Sequence, residues 1–275
     1  HRQGGLKNVP SGARVIPLIN KVETVETLAA GRETALHLLG NLAVRAVMLG
    51  AVRRAEAEPV REVHGRVAAL VLAAGRSTRM GQLKQILPWG EGSTIVAEVV
   101  RRLQASAVVE VVVVTGAGCE AVEAVLSTFT TPTAGNAAGP RVRLAFNPDF
   151  ETSEMARSLQ VGLSSLPEYS LAALVTLGDQ PQLDPEVVQA ILQRWRETQA
   201  PLVAPFFQGR RGHPLLFDRS VWPDLLTLPP EANPREILQK LAPPEPVEVI
   251  SDSILRDIDT PGDYARERRI ARFSG

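Results

Sequence analysis

The chain has 275 residues, a formal net charge of +0 and 44% hydrophobic residues, enough for one large or two small domains with a substantial core. Balanced charge with 4% aromatics excludes the basic, aromatic-interleaved footprint of a nucleic-acid polymer binder. The single cysteine, Cys119, excludes a disulfide framework, and no apolar run reaches membrane-spanning length, so a cytoplasmic protein without membrane contact is expected.

In chain order, residues 1–62 read as a separate unit. The first residue is His1, and His1 to Gly5 reads as a scar or an internal start, so a fragment of a longer polypeptide is expected. Arg14 to Asn20 reads as a strand, Thr24 to Leu39 as a helix and Val44 to Val52 as a second strand. That order predicts a right-handed crossover and two parallel strands. Asn20-Lys21-Val22-Glu23 after the first strand resembles a guanine-recognition NKxD element with Glu at its last place, but no Walker phosphate loop accompanies it. Ala55 to His64, charged and carrying Pro59, reads as a linker. The expected division is 1–64 and 65–275.

From Val67 the pattern is regular. Strands are expected at Val67 to Leu72, Val108 to Thr115, Val142 to Phe146 and Leu171 to Leu177, with later short strands at Pro201 to Phe206, Leu215 to Phe217 and Val247 to Ile250. Helices are expected at Thr94 to Gln104, Glu120 to Phe129, Ser153 to Ser165, Pro185 to Thr198, Asp224 to Leu226, Pro234 to Leu241 and Pro261 to Arg272, and a loop at Thr130 to Pro140. Alternating strands and helices predict an α/β fold, a Rossmann-like mostly parallel sheet covered on both faces. Its ligands bind beyond the carboxyl ends of the strands.

Chemistry-bearing residues fall at those ends. After the first of these strands come Ala73, Ala74 and Gly75, then Arg76, Arg79 and Lys84, with Gly81 closing the turn. Small residues followed by cations suit a polyphosphate cradle, or else an ordinary loop with solvated basic residues. Gly75 and Gly81 match neither the Walker spacing nor G-x-G-x-x-G. Gly178-Asp179-Gln180-Pro181 places a carboxylate at a strand end, suited to Mg²⁺ or to a plain turn. Asp257 and Asp259 alternate in an extended segment and so face one side. Ser153, Arg157 and Ser158 open a helix towards an anion, and His213 lies in Arg210-Arg211-Gly212-His213-Pro214. A cradle facing carboxylates on one sheet edge describes a Mg²⁺-nucleotide site.

LAAGRSTRMGQLKQILPWG, from Leu72 to Gly90, resembles the signature of the MobA-like nucleotidyltransferases, nearest the molybdenum cofactor cytidylyltransferases. LGDQP, RRGHPLLF and DIDTPGDY extend the resemblance to Tyr264. The resemblance implies a nucleotide-diphospho-sugar transferase-like fold and Mg²⁺-dependent transfer of a nucleotidyl group to a phosphate, with pyrophosphate released. By it, Ala73, Ala74 and Gly75 would line the nucleotide's base and ribose, Leu72 would also bind the nucleotide, Arg79 and Lys84 would bind its triphosphate, and Ser158 would lie near the nucleotide. Asp179 and Asp259 would hold Mg²⁺, with Arg79, Lys84 and Asp179 catalytic and His213 and Arg235 on the acceptor side. Ala74, where guanylyl-transferring relatives carry Gly, tilts the donor to CTP, and the acceptor implied is molybdopterin or molybdenum cofactor. Two departures stand out: Glu154 replaces a Gly, and Pro230 to Glu236 keeps only Arg235 of a GDxGAR segment. Residues 1–62 resemble the C-terminal end of the YqeC family, accessory proteins of molybdenum hydroxylases, which makes such a hydroxylase an expected partner. Rival readings are a GTP-using guanylyltransferase, a sugar- or alcohol-phosphate nucleotidyltransferase, and a non-catalytic carrier of the cofactor.

Overall fold

The computed structural model describes residues 18–19, 25–39, 46–50, 60–90, 92–130, 140–233, 238, 241 and 243–273. The NKVE stretch, Arg235 and nearly all of the helix expected over 234–241 lie outside them, as do residues 131–139 of the expected loop.

The first elements are β1 (Leu18–Ile19), α1 (Val25–Leu39), β2 (Ala46–Gly50) and β3 (Val60–Gly65). β1 and β2 pair in parallel, as the strand–helix–strand order requires. Ala35 and Leu39 of α1 pack on Val47 and Leu49 of β2. The expected linker is corrected here: β3 is a strand, antiparallel to β2, with Ala46 opposite Gly65 and Leu49 opposite Glu62. Its charged residues looked solvated, yet Glu62 and His64 are buried and bonded to each other at 2.7 Å. Arg32 of α1 donates to Glu62 at 3.0 Å. Charge in this stretch is paired across elements, which composition does not reveal.

β3 runs through Arg66 into β4 (Val67–Ala73), the centre of the main sheet. Then follow β5 (Pro88–Trp89), β6 (Ser93–Thr94), α2 (Ile95–Gln104), β7 (Glu110–Thr115), α3 (Cys119–Thr130), β8 (Arg141–Phe146), α4 (Met155–Ser165), β9 (Ala172–Leu177) and α5 (Pro185–Thr198). The remainder is β10 (Leu202–Phe207), β11 (Arg210–Arg211), β12 (Leu215–Asp218), α6 (Trp222–Leu226), β13 (Glu245–Glu248) and α7 (Pro261–Phe273). β13 begins and ends two residues before the strand expected there, and Ile250 is fully exposed.

β4 lies between β9 and β7, β8 lies outside β7, and all four run parallel. β12 joins β9 antiparallel, and β10 joins β12 antiparallel. Every residue of β7 is buried, as expected of a central parallel strand covered on both faces. Along β4, Val67, Ala69, Val71 and Ala73 face a core shared with α2, α3 and α5, while Ala68 and Leu70 face one shared with α4 and α6. Helix starts are chemically marked. Asp184 accepts from the Glu186 N–H at 2.9 Å with Pro185 opening α5. Among the described residues no helix is long and apolar enough to cross a membrane.

Candidate active site

Beyond the carboxyl ends of β4, β7, β8 and β9 opens a cavity of about 520 Å³. The chain leaving β4 is held by one side chain. Buried Gln85 donates from Nε2 to the carbonyls of Ala73 and Gly75, at 3.2 Å each, and its Oε1 accepts from the Ser77 hydroxyl at 3.2 Å. Ser77 Oγ in turn accepts from the Lys84 N–H at 3.1 Å. Ser77 is left-handed with φ 54°, which lets two short 3₁₀ turns, Thr78–Met80 and Lys84–Ile86, follow in succession. Met80 and Leu87 then pack with Trp89, Ile95 and Ile258 in a small core of their own. Ile258, fully buried, stands between Asp257 and Asp259 and so presents both carboxylates to the cavity.

Lys84 is the centre of the cluster that results. Its Nζ donates to Asp179 Oδ2 and, at 2.9 Å, to Asp259 Oδ1, while Arg79 reaches Asp259 Oδ2 at 2.9 Å. Burial disfavours the Lys84 ammonium, but the charges and hydrogen bonds of Asp179 and Asp259 outweigh it and raise its pKa. Burial pushes the Asp179 carboxyl above its ordinary range against the pull of Lys84, and Asp257 and Asp259 push the same way. Asp257 accepts from Gln180 Nε2 at 2.6 Å, and the Ile258 N–H donates to the Asp179 carbonyl at 3.3 Å.

The opposite wall stands over β7 and β8. Asn147, 1% exposed, donates to Ser158 Oγ at 3.1 Å and accepts the Asp149 N–H at 3.0 Å. Phe150 closes this wall beside Gly116, where a Cβ would lie 2.6 Å from Phe150 Cβ and 2.7 Å from the Ala74 carbonyl.

Most residues read from the sequence meet here. Leu72, Ala74, Gly75, Arg79, Lys84, Ser158, Asp179 and Asp259 all line the cavity. Ala73 is a correction: strand alternation turns its methyl into the opposite core, against Gly178, and only its carbonyl takes part, through Gln85. His213 does not line the cavity. Its N–H donates to the Ile254 carbonyl at 3.0 Å, and burial lowers its pKa to about 4, so the imidazole is neutral at pH 7. Arg157 is paired with Asp149 at 2.8 Å and Arg76 is exposed, neither on the cavity wall. Gln85 and Asn147 have no role assigned by the sequence. Asn147 carries a usable signal, an Asn-Pro step at a strand end, which favours an Asx turn. Gln85 is marked only by being polar inside the Lys84 to Pro88 stretch.

Among the described residues no three His, Cys, Asp or Glu side chains form a ready-made metal site. Asp179 and Asp259 nevertheless offer hard oxygen donors, and Asp179 Oδ1 is buried with no hydrogen-bond partner among the described residues. That fits a divalent cation which takes one or two carboxylates and completes its shell with substrate phosphates and water.

Residues 69–246 match the MobA-like NTP transferase domain. The chain belongs to the MobA-like NTP transferase family. It is therefore an enzyme of the nucleotidyltransferase class. A relative, the molybdenum cofactor cytidylyltransferase of Escherichia coli K12, is 27% identical over 202 residues, covering 72% of this chain and 95% of that protein. A nucleotidyl transferase from Methanothermobacter thermautotrophicus superposes with a TM-score of 0.61 at 24% identity, over 76% of this chain and 99% of that one. A manganese complex of Rv0371c from Mycobacterium tuberculosis H37Rv superposes with a TM-score of 0.56 at 22% identity, over 74% of this chain and 98% of that one. The two solved structures share the fold whose sheet carries the cavity at its carboxyl edge.

Proposed function

We propose that this MobA-like enzyme transfers a CMP group from CTP to the phosphate of a molybdopterin-type acceptor, with Mg²⁺, and releases pyrophosphate. The observation that carries the chemistry is the Lys84–Asp179–Asp259–Arg79 cluster at the mouth of β4 and β9. The choice of donor and acceptor draws support from the name of the Escherichia coli relative. Ala74, a methyl in the cavity wall, agrees with a pyrimidine donor.

An acceptor phosphate oxygen forms the new bond to the α-phosphorus in line, and the bond from that phosphorus to the bridging oxygen of the β-phosphate breaks. The nucleophile is already anionic, so positioning and charge neutralisation carry the rate. Lys84 faces the α-phosphate and Arg79 the leaving phosphates, each exchanging a carboxylate for a phosphate oxygen. Asp179 and Asp259 would hold Mg²⁺, which supplies positive charge to the reacting phosphates. The manganese in a structural neighbour supports a divalent ion. His213, neutral, and Arg235 are proposed for the acceptor side.

A donor panel tests the reading. CTP, GTP, ATP and UTP are each supplied with Mg²⁺ and molybdenum cofactor, and pyrophosphate is measured. Pyrophosphate from CTP, dependent on the acceptor, is expected. Sole use of GTP would make the enzyme a guanylyltransferase, and nucleotide binding without pyrophosphate would make it a carrier.

A further inference from the structure

Among the described residues, one carboxylate of the cavity has no polar partner. Asp179 and Asp259 share Lys84, Asp259 also holds Arg79, and Asp257 accepts from Gln180. Glu154 lines the same cavity and is exposed, and among the described residues its carboxylate has neither an ion pair nor a hydrogen bond. Its backbone is nonetheless fixed. The Glu154 N–H donates to the Pro230 carbonyl at 3.2 Å and its own carbonyl accepts from the Arg157 N–H at 3.3 Å. Glu154 is the N-cap residue of α4, yet its side chain makes no cap bond. The nearest cation along the helix, Arg157, is committed to Asp149.

One turn further on the same helix face is Ser158, four residues away, where side chains stand about 6 Å apart. Its oxygen accepts from Asn147 Nδ2 at 3.1 Å. Ser158 is 8% exposed and among the described residues its hydroxyl proton is given to no acceptor, so it is left to donate into the cavity. The wall over β8 therefore presents a donor, Ser158, beside the carboxylate acceptor of Glu154.

A triphosphate cannot lie along this wall, because the free carboxylate repels it and the available cations are at the other end. The uncharged end of the nucleotide belongs here. We infer that Glu154 and Ser158 read the edge of the donor's base, with Glu154 accepting from an exocyclic amino group and Ser158 donating to the adjacent ring nitrogen. Cytosine and adenine present that amino-and-nitrogen order. Uracil and guanine present the reverse, a carbonyl beside a ring N–H, and meet an acceptor with an acceptor. Rejection of that kind adds to steric discrimination, since it sets the Glu154 carboxylate against a carbonyl and leaves the buried Ser158 hydroxyl without an acceptor. The inference rests on the donor-nucleotide reading of the cavity and deepens it. Ala74 biases size, while Glu154 and Ser158 set polarity.

The test measures equilibrium binding of CTP, UTP, GTP and ATP with Mg²⁺, without acceptor, to the full chain and to Glu154→Gln. A glutamine amide can turn its NH₂ towards a carbonyl. The CTP-over-UTP preference of the parent protein should fall about 10- to 100-fold in the variant, chiefly by tighter UTP binding. Melting temperature serves as the control for folding, and Glu154 is exposed enough for it to be unchanged. Preference for CTP with an unaltered ratio in Glu154→Gln overturns the role of Glu154 and leaves the CTP reading standing. Preference for ATP that relaxes in the variant upholds Glu154 and overturns CTP. Preference for GTP or UTP in the parent protein overturns both.

Discussion

Lys84 joins two carboxylates 95 and 175 residues away in sequence, and this sharing decides what single substitutions do. Asp179→Asn keeps the shape of the side chain and removes the charge that Lys84 and a metal ion would use. Turnover should fall by on the order of 100-fold or more while circular dichroism and melting temperature change little. Undiminished turnover in a folded Asn variant would remove Asp179 from the reaction. Lys84→Ala should lower the single-turnover rate far more than CTP affinity if, as proposed, the base is held at the other wall. A loss confined to affinity would make Lys84 a docking residue. The residue types were legible in sequence, a cation after one strand and a carboxylate after another. Their mutual neutralisation was not, since it depends on Ile258 burying itself between Asp257 and Asp259. Ala73 and Ala74 also looked equivalent as small residues, and only strand alternation separates their roles.

At the scale of elements, the site depends on how closely strand ends approach each other. A Cβ at Gly116 would lie 2.7 Å from the Ala74 carbonyl, a backbone atom with little freedom, whereas a Cβ at Gly75 meets nothing within 4 Å. Gly116→Ala should therefore destabilise the fold by about 1–3 kcal/mol and displace the loop that carries Lys84. Gly75→Ala should leave stability within about 0.5 kcal/mol. Paired thermal melts and CTP titrations check both. Equal stability of the two variants would show that the β4–β7 approach is not a constraint, and a CTP loss in Gly75→Ala alone would locate the nucleotide against that backbone. Strands such as β4 and β7 were legible because continuous apolar runs mark strands buried on both faces. The 3₁₀ turns between Thr78 and Ile86 were not, because the Gln85 clamp and the left-handed Ser77 that shape them leave no periodic signal.

The whole molecule depends on how the small N-terminal sheet is joined to the main one. β3 continues into β4, and its Glu62 gathers Arg32 from α1, His64 from its own strand and, at 2.7 Å, Gln193 from α5. Residues that looked like a charged linker thus tie the two sheets together, and only the tertiary partners distinguish those cases. Burial would raise the Glu62 carboxyl, but hydrogen bonds from His64, Arg32 and Gln193 outweigh it and bring its pKa from 4.5 to about 2. A carboxyl depressed on folding stabilises the protein above its unfolded pKa, and the benefit fades as pH falls towards the folded value. The benefit, on the order of 2–3 kcal/mol, is present above about pH 4.5 and lost towards about pH 2. Glu62→Gln retains volume but strands Arg32 without its anion. Its melting temperature should be several degrees below the parent's at pH 7, and the gap should close as pH is lowered from 4.5. Equal melting temperatures at pH 7 would mean that the N-terminal sheet is held by packing of Ala35, Leu39, Val47 and Leu49 alone. A gap that persists unchanged through pH 3 would mean that the variant loses stability by setting an amide NH₂ against the donors of Arg32 and Gln193, and not by losing the charge.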